Sequence, residues 1–399
     1  MTTPTGPVVG IVGGGQLARM LAEAATPMGI HVRVLAAPGD EGAAEVVPDV
    51  QVGAPDDPDA LRSFAATVDV ITFDHENVDH ATLAALEAEG VAVRPGVGTL
   101  RLSDKAYQRE VFSNGGLPVP PFEVVDPTAS PGPALERTRR FAERHADAEG
   151  RIVAKASRGG YDGRGVWMLR EDAIEQFLAE YRGAPLVLEP KLPLDREVAV
   201  LVARRPSGQT VTWPVLETVQ VDGMCDEVFL PADVPAGLDP SAREIAEAIA
   251  EMTGSVGVLA VELFLTDGHL LVNEIAPRVH NSGHLTIEGT RTSQFEQHLR
   301  AILDWPLGPT EPTAAVAVMA NVVGGPSGDP RDRQATALGA VPGAHLHLYG
   351  KQARPARKIG HVTVLGDELT STRSAANLAA DLLAGTAHEA PDMGGSSDE

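Results

Sequence analysis

Two glutamates lie inside apolar runs that a short turn connects. Glu262 lies within VLAVELFL, Glu274 lies within HLLVNEI, and Asp267-Gly268 falls between the two runs. A turn of this composition predicts a β-hairpin. A buried carboxylate without a partner is costly, so the pair indicates a cation, and Mg²⁺ is usually held by one or two carboxylates plus nucleotide phosphates. The alternative is that these carboxylates form salt bridges with arginines such as Arg278.

The length of the turn decides whether the two carboxylates share a face of the hairpin. A two-residue turn at Asp267-Gly268 puts Glu262 opposite Asn273 and sends Glu274 to the other face. A three-residue turn with a left-handed Gly268 pairs Glu262 with Val272 and leaves Glu274 as a diagonal neighbour on the same face. We predict the second arrangement.

A lysine at a strand end is followed by a glycine-rich loop. Lys155 is the last residue but one of the run RIVAKA, and the segment GGYDGRG at 159–165 holds four glycines in seven residues. Such a loop can fold over phosphates with its N–H groups while Lys155 faces them. It is not a P-loop, because no G-K-[ST] follows. The alternative is an ordinary hairpin loop.

Three further segments carry groups suited to a phosphorylated ligand. The strand end VLEPKL at 187–192 can pair with an adenine edge, and Glu197 can accept from ribose hydroxyls. The segment APRVHNSGH at 276–284 is dense in hydrogen-bond donors, which suits a phosphate or a reacting anion. The segment 351–361 puts five basic residues into an acidic protein, and it predicts a second phosphate site. Its alternative is a solvated basic turn.

Lysine is scarce in this chain, with 27 arginines and only Lys105, Lys155, Lys191, Lys351 and Lys358. Positions that keep lysine indicate a need for a compact point charge, which a planar guanidinium cannot supply. We interpret Lys105 as a chance surface lysine and the other four as candidates for a site.

The N-terminal run GGGQLA at 13–18 fits G-x-G-x-x-A after a first strand. This pattern is typical of a helix N-terminus that faces an anion. The acidic residue that would hold a dinucleotide ribose is missing, because the second strand ends VLAA at 34–37. The loop therefore predicts a phosphate or sugar contact other than NAD, or else a purely structural turn.

The chain resembles the N5-carboxyaminoimidazole ribonucleotide synthase family in four motifs taken together: K-x3-GGYDGRG, LEPKL, VELF…NEIAPRVHNSGH and K-x2-RP-x-RK-x-GH. The resemblance runs from Gly13 to about His361. It implies an ATP-grasp fold in which ATP and bicarbonate form carboxyphosphate, and the 5-amino group of aminoimidazole ribonucleotide then captures the CO₂ unit. It further implies Mg²⁺, with Mn²⁺ as a substitute, and a homodimer.

The resemblance also assigns residues to roles. It implies metal binding by Glu262 and Glu274 and catalytic roles for Lys155, Asp162, Arg278 and Lys351. It implies ATP contacts from Arg101, Lys155, Gly160, Tyr161, Asp162, Gly163, Arg164, Gly165, Val166, Glu189, Pro190, Lys191, Leu192, Glu197, Gln220, Asn273 and Glu274. It implies ribonucleotide contacts from Gly15, Gln16, Leu17, Glu76, Tyr161, Arg164, Arg278, His280, Asn281, Ser282, Lys351, Arg357 and Lys358.

Two positions depart from the family pattern. The early acidic loop often reads T-x-E-x-E-N, whereas this chain has TFDHEN at 72–77, which leaves the role of Asp74 open. A histidine frequently occupies the position of Gln220, which we carry over as a nucleotide contact.

The elements that must position these residues fall into three predicted domains. Residues 1–100 alternate strands and helices, which predicts a parallel α/β domain. Residues 101–308 form an α+β stretch, the two-lobed ATP-grasp domain, with a flexible glycine loop at 157–166 and continuous helices at 99–114 and 133–148. Residues 309–385 predict a small β-rich domain, and the polar tail at 386–399 predicts disorder.

Composition restricts the function classes. A net charge of −23 disfavours general binding to nucleic acid or anionic membranes. A single cysteine, Cys225, excludes an intramolecular disulfide and suits the cytoplasm. The N-terminus lacks a signal-peptide pattern, and no run approaches the roughly 20 apolar residues of a membrane span. Two rival functions are a sibling ATP-grasp ligase, such as formate-dependent glycinamide ribonucleotide transformylase, and an NAD-binding oxidoreductase or sensor without magnesium.

Overall fold

The fold is that of a computed structural model, which describes residues 6–160, 164–325 and 328–386. Its strands are β1 Val8–Val12, β2 His31–Ala36, β3 Val50–Val52, β4 Val70–Phe73, β5 Glu123–Val125, β6 Arg151–Ala156, β7 Val166–Arg170, β8 Leu186–Pro190, β9 Arg196–Arg204, β10 Thr210–Thr212, β11 Leu216–Val221, β12 Met224–Leu230, β13 Gly257–Thr266, β14 His269–Ala276, β15 Val316–Val323, β16 Ala344–Leu348 and β17 Lys358–Gly366.

Helices connect these strands. They are α1 Gln16–Ala25, α2 Pro58–Ala65, α3 His80–Ala88, α4 Val97–Leu100, α5 Lys105–Asn114, α6 Pro131–His145, α7 Ile174–Glu180, α8 Leu238–Thr253, α9 Thr286–Gly289, α10 Gln294–Ile302, α11 Gln334–Ala340 and α12 Leu369–Ala384. Short 3-10 turns lie at Thr26–Met28, Ala43–Glu45, Arg101–Ser103, Glu171–Ala173, Asn281–Gly283 and Pro330–Arg333. Within the described ranges, these helices fall short of the length and apolar character that crossing a bilayer requires.

The N-terminal sheet is parallel, with strand order β3-β2-β1-β4. Strands β1 and β4 are almost wholly buried, as expected for parallel strands covered on both faces. The parallel sheet predicted from the alternation of strands and helices is therefore confirmed.

Helix α1 begins against a carboxylate of the protein itself. Asp74, just after β4, accepts from the Gly15 N–H at 3.0 Å and the Ala18 N–H at 2.9 Å. A Cβ added at Gly15 would lie 2.4 Å from an Asp74 carboxylate oxygen. The glycine at 15 therefore makes room for Asp74, and this carboxylate satisfies N–H groups that the loop pattern offers to an anion. The role that the sequence left open for Asp74 is the capping of α1.

Replacing Asp74 by alanine is expected to lower the free energy of unfolding by about 1–2 kcal/mol, because one buried and one partly buried N–H group lose their acceptor. Urea unfolding measures the loss. Asp79→Ala is the matched control, since Asp79 caps the more exposed start of α3 through the Thr82 N–H and should cost less. An Asp74→Ala loss no larger than the Asp79→Ala loss would contradict this role.

Two antiparallel sheets form the central region. The smaller one has the order β5-β8-β6-β7 and packs against α6 and α7. The larger one has the order β14-β13-β9-β11-β12-β15-β17-β16, with β10 beside β9. The last three strands of the chain therefore continue the larger sheet, because β15 pairs with β12. The β-rich character predicted for the C-terminal region is confirmed, and its strands extend the central sheet.

The predicted continuous helix at 99–114 is wrong. Helix α4 ends at Leu100, a 3-10 turn follows, and α5 begins at Lys105. Asp104 is its N-cap and accepts from the Ala106 and Tyr107 N–H groups, a preferred role for aspartate. The other long helix is also shifted, since α6 spans Pro131–His145 rather than 133–148.

The predicted turn of the β13–β14 hairpin is wrong too. Thr266 pairs with His269, so the turn has two residues, with positive φ at Asp267 and Gly268 as a type I′ turn requires. A β-bulge between Glu262 and Leu263 then shifts the register, and Glu262 lies directly opposite Glu274. The bulge restores the shared face that the sequence analysis had ascribed to a longer turn.

Candidate active site

A cavity of about 540 Å³ lies between the smaller and the larger central sheets. Strands β6, β7 and β8 line one side, while β9, β13 and β14 line the other. The predicted ATP contacts that line it are Lys155, Gly160, Arg164, Val166, Glu189, Pro190, Lys191, Leu192, Glu197, Gln220, Asn273 and Glu274. Segments far apart in sequence thus meet in one cleft.

Both predicted metal ligands lie in this cavity. Glu262 and Glu274 are direct cross-strand partners, and each side chain keeps partial exposure, 21% and 36% respectively. Burial raises the pKa of Glu262, although the neighbouring cations, foremost Lys105, act against it. The His280 ring lies beside Glu262, with its Nε2 3.7 Å from the carboxylate. Arg278, the alternative partner, instead pairs with Glu76 at 2.9 Å.

Glu197 adds a third carboxylate to the same face of the sheet. It lies on β9 opposite Phe264, two residues before Ala199, the partner of Glu262. Burial, reinforced by the charge of Glu262, raises its pKa to about 7. Three acids on one face are unfavourable without added positive charge or bound hydroxyls, so this face favours a cation and a polar ligand.

Lys155 is fixed by a buried network. Its Nζ lies 2.7 Å from the Glu189 carboxylate and donates to Asn273 Oδ1 at 3.0 Å. It also lies 5.4 Å from the centre of the Phe264 ring. Burial alone would raise the pKa of Glu189, but the charges of Lys155 and Arg109 outweigh it and lower the pKa to about 2. Glu189 is thus ionised, and it orients Lys155 toward the cleft.

Lys105 was missed, and its interpretation as a chance surface lysine is wrong. It lines the cavity and forms an ion pair with Glu274. Burial and the like charge of Lys155 lower its pKa to about 8. The scarcity of lysine was the sequence signal that could have identified Lys105 as a site residue. The missing information was the break in the helix, because α5 begins at Lys105 and that side chain reaches Glu274 on β14.

The loop after β14 contributes a second set of predicted contacts. His280 and Asn281 line the cavity, as does Lys358 from β17. Burial, with the charges of Arg278 and Lys358, lowers the pKa of His280 to about 3, so its ring is neutral. Asn281 exchanges two amide hydrogen bonds of 2.9 Å with Asn321 on β15. Asn321 was not foreseen, since an asparagine in an apolar strand gives no sign of its partner.

Other predicted ribonucleotide residues meet at the edge of the N-terminal domain. Lys351 donates to the Gln16 side chain, and Arg357 pairs with Glu41 at 2.8 Å. Ser282 is buried beside His280, with its Oγ 3.0 Å from His280 Nδ1. These residues join distant segments, although Gln16, Lys351 and Arg357 lie outside the lining of the main cavity.

Some predicted residues are not brought into the cavity. Arg101 is exposed and its guanidinium stacks over Tyr107 at 4.8 Å. Gly165 does not line the cavity, and the Leu17 side chain is buried in the core. Tyr161, Asp162 and Gly163 lie outside the described residues, as does the tail from 387 onward.

Family models match three consecutive regions of the chain. Residues 7–104 match the ribonucleotide synthetase preATP-grasp domain, 110–295 the ATP-grasp domain, and 317–375 the phosphoribosylaminoimidazole carboxylase C-terminal domain. A relative from Mycobacterium bovis named N5-carboxyaminoimidazole ribonucleotide synthase is 46% identical over 395 residues, which cover 96% of this chain and 89% of the relative. The chain belongs to the N5-carboxyaminoimidazole ribonucleotide synthase family.

Solved structures of this synthase family share the fold. The Aspergillus clavatus synthase complexed with ATP has a TM-score of 0.85 and 32% identity, covering 96% of this chain and 99% of its own. The same organism's synthase in complex with ADP and 5-aminoimidazole ribonucleotide has a TM-score of 0.83, 31% identity and the same coverage.

Membership in the synthase family confirms the ATP-grasp fold and the activity expected from the sequence. The chain is an ATP-dependent carbon–nitrogen ligase that carboxylates aminoimidazole ribonucleotide in purine synthesis. This family decides against the sibling transformylase. It also decides against the NAD-binding alternative, in agreement with the Asp74 carboxylate at the start of α1.

Proposed function

We propose that the cleft phosphorylates bicarbonate with ATP and Mg²⁺ and then transfers the CO₂ unit from carboxyphosphate to the 5-amino group of the ribonucleotide. The observation that carries this proposal is the direct pairing of Glu262 with Glu274 in the cavity that also holds Lys155. Two carboxylates beside a lysine form the charge pattern that phosphoryl transfer from a nucleotide requires.

The donor set fits Mg²⁺ rather than a metal held by protein alone. Within residues 6–160, 164–325 and 328–386, no group of three or more His, Cys, Asp or Glu side chains is arranged to hold a metal. Mg²⁺ usually takes one or two carboxylates and completes its octahedron with phosphates and water. We assign Glu262 and Glu274 as its ligands, with Asn273 beside them. When bound, the ion would neutralise charge on the transferring phosphoryl group, and Mn²⁺ would substitute for it.

The nucleotide roles follow from position in the cleft. We assign the adenine to the strand end Glu189–Leu192, with Gln220 across the cavity, and the ribose hydroxyls to Glu197. Lys155 would face the phosphates, because its ammonium is fixed by Glu189 and Asn273. The glycine loop, including Gly160 and Arg164, would cover them, while contacts by Arg101, Tyr161 and Gly163 remain predictions.

The chemistry has two steps. An oxygen of bicarbonate attacks the γ-phosphorus of ATP, the bond to the bridging oxygen breaks, and ADP leaves. The amino nitrogen then bonds to the carbon of carboxyphosphate, phosphate leaves, and the nitrogen loses a proton. Arg278 and Lys351 would stabilise the developing negative charge, and Asp162 remains the predicted group for handling the proton.

The ribonucleotide would bind across the C-terminal side of the cleft. We assign its contacts to the loop His280–Ser282 and to Lys358. The cations Lys351 and Arg357, with Gln16 and Glu76 from the N-terminal domain, would bind its phosphate and sugar. Support comes from the reciprocal Asn281–Asn321 amide bonds, which fix the loop on β15.

The raised pKa of Glu197 gives a pH-dependent prediction. Its folded pKa of about 7 exceeds the ordinary value of 4.5, so the folded state binds more protons between these values and loses stability as pH rises through 7. Glu197→Gln removes this loss. The unfolding free energy of the variant relative to that of the wild type is therefore expected to be roughly 1–2 kcal/mol higher at pH 8 than at pH 5.

Urea unfolding of both proteins at pH 5 and pH 8, without nucleotide, measures this difference. Glu217→Gln is the comparison: burial raises the pKa of Glu217 as well, but the hydrogen bond it accepts from the Asp233 N–H and the charge of Arg196 act against that rise. Its pH-dependent gain should therefore be smaller than that of Glu197→Gln. A pH-independent difference between Glu197→Gln and the wild type would contradict the raised pKa.

The experiment for the proposed function is ADP release from ATP and Mg²⁺, with bicarbonate and aminoimidazole ribonucleotide added singly and together. Stimulation that requires both supports the carboxylation. ADP formation indifferent to both would contradict it while leaving ATP turnover intact. Omission of Mg²⁺ should abolish release, and Mn²⁺ should restore it.

We also propose that the enzyme acts as a cytoplasmic homodimer, as its family resemblance implies. A single cysteine suits a reducing compartment. Sedimentation equilibrium tests the assembly, with twice the chain mass expected and the mass of one chain contradicting the dimer.

A further inference from the structure

Arg109 is a buried arginine that none of the assigned ligand contacts includes. It lies on α5, one helical turn after Lys105, and its side chain is 3% exposed. Its guanidinium donates in three directions: to the Glu189 carboxylate at 2.6 Å, to the Val272 carbonyl at 2.9 Å and to the Asn273 carbonyl at 2.6 Å. A buried charge with all of these acceptors is held in one orientation.

Two of the acceptors of Arg109 lie at the β-bulge in β14, the strand that carries Glu274. Leu263 pairs with Val272 and Glu262 pairs with Glu274, so Asn273 is the extra residue. A bulge disrupts the ladder and leaves backbone groups in need of partners. Arg109 supplies donors to the carbonyls of Val272 and Asn273, so its guanidinium stabilises the local backbone that places Glu274 opposite Glu262.

The third acceptor links the bulge to the other side of the cleft. Glu189 belongs to β8 of the smaller sheet, while Asn273 belongs to β14 of the larger one. Glu189 also holds Lys155, which donates to the Asn273 side chain. One guanidinium thus closes a ring of contacts that joins both sheets.

We propose that Arg109 is a positioning residue for the metal site. It holds the bulge that makes Glu262 and Glu274 face one ion, and it fixes that bulge relative to Lys155. The inference rests on the proposed Mg²⁺ role of these carboxylates. Lysine cannot replace Arg109, because a single ammonium cannot reach three acceptors with the planar geometry of the fork.

The test compares Arg109→Lys with the wild type in equilibrium ATP binding by calorimetry, once with Mg²⁺ and once with EDTA. We expect the enhancement of ATP affinity by Mg²⁺ to fall about tenfold in the variant. The Mg²⁺ concentration that gives half-maximal ADP release should rise about tenfold. A purely structural role would lower stability and leave the ratio of the two affinities unchanged, and that result would overturn the proposal.

Arg373→Lys is the matched control. Arg373 lies on the C-terminal helix α12 and also pairs with a buried glutamate, Glu227, at 2.6 Å. This variant should lose stability while keeping the wild-type ratio. If Arg109→Lys does not fold, Arg109→Gln keeps two N–H donors for the carbonyls. It should retain more of the Mg²⁺ enhancement than Arg109→Leu, and equal loss in both would count against the role of the bulge carbonyls.

Failure of the proposed carboxylation can be distinguished from failure of the proposed role of Arg109. ATP binding is measured without bicarbonate or ribonucleotide, so a wild type that fails to carboxylate leaves the result for Arg109 standing. A wild type that binds ATP equally with Mg²⁺ and with EDTA would overturn both the metal site and the role of Arg109.

Discussion

Replacing Glu274 by glutamine is expected to lower kcat by at least about a thousandfold while the fold is retained. The change removes one of two paired carboxylates in the cleft and the ionic partner of Lys105. Interactions that neutralise charge on a transferring phosphoryl group contribute several kcal/mol to the transition state. A loss of about 4 kcal/mol corresponds to this reduction in rate.

Steady-state ADP release measures the effect, and circular dichroism with thermal unfolding checks the fold. Glu217→Gln is again the matched control, since Glu217 is a buried glutamate on β11 outside the cavity. A Glu274→Gln enzyme with wild-type kcat and the same requirement for Mg²⁺ would remove Glu274 from the metal site.

Replacing Lys155 by methionine is expected to lower kcat/KM for ATP by about two to three orders of magnitude. The ammonium would no longer face the phosphates, and Glu189 would keep only Arg109 as its ionic partner. Removal of one partner from a buried ion pair also costs stability. We therefore expect a lower unfolding midpoint together with the kinetic loss.

Lys155→Arg separates charge from geometry. The guanidinium keeps the charge but is larger than an ammonium, and the space is bounded by Glu189, Asn273 and Phe264. This variant should regain stability without regaining most of kcat/KM, as measured by ADP release at varied ATP. Full activity of Lys155→Arg would show that a compact point charge is not required.

Much of the site could be predicted because its residues follow strands. Glu262, Glu274 and Lys155 lie in or at the end of apolar strand runs, and the carboxylates stand out because burial of charge needs a partner. The strand end at 187–192 and the loop after β14 reach the same cleft for the same reason. Their joint arrangement could not be derived from spacing alone, and the family resemblance supplied it.

The residues that were missed act through contacts distant in sequence. Lys105 and Arg109 have an ordinary spacing on a helix, and only the docking of α5 against β14 gives them partners. The bulge at Asn273 is equally hidden, because a two-residue turn and a one-residue bulge together produce the same shared face as a longer turn. Asp74 was ambiguous because its partners are backbone N–H groups, which carry no sequence signal.

The continuity of the larger sheet imposes an order on assembly during synthesis. The strands that carry the proposed nucleotide contacts all precede residue 277, so they can pair before the rest of the chain leaves the ribosome. The outer edge of β12 stays unpaired until β15 is synthesised, and Asn281 likewise lacks Asn321 until then. An unpaired edge is an aggregation hazard. The nascent chain thus passes through a stage in which the strands for ATP are paired, while the side of the sheet proposed to bind the ribonucleotide still ends in an unpaired edge.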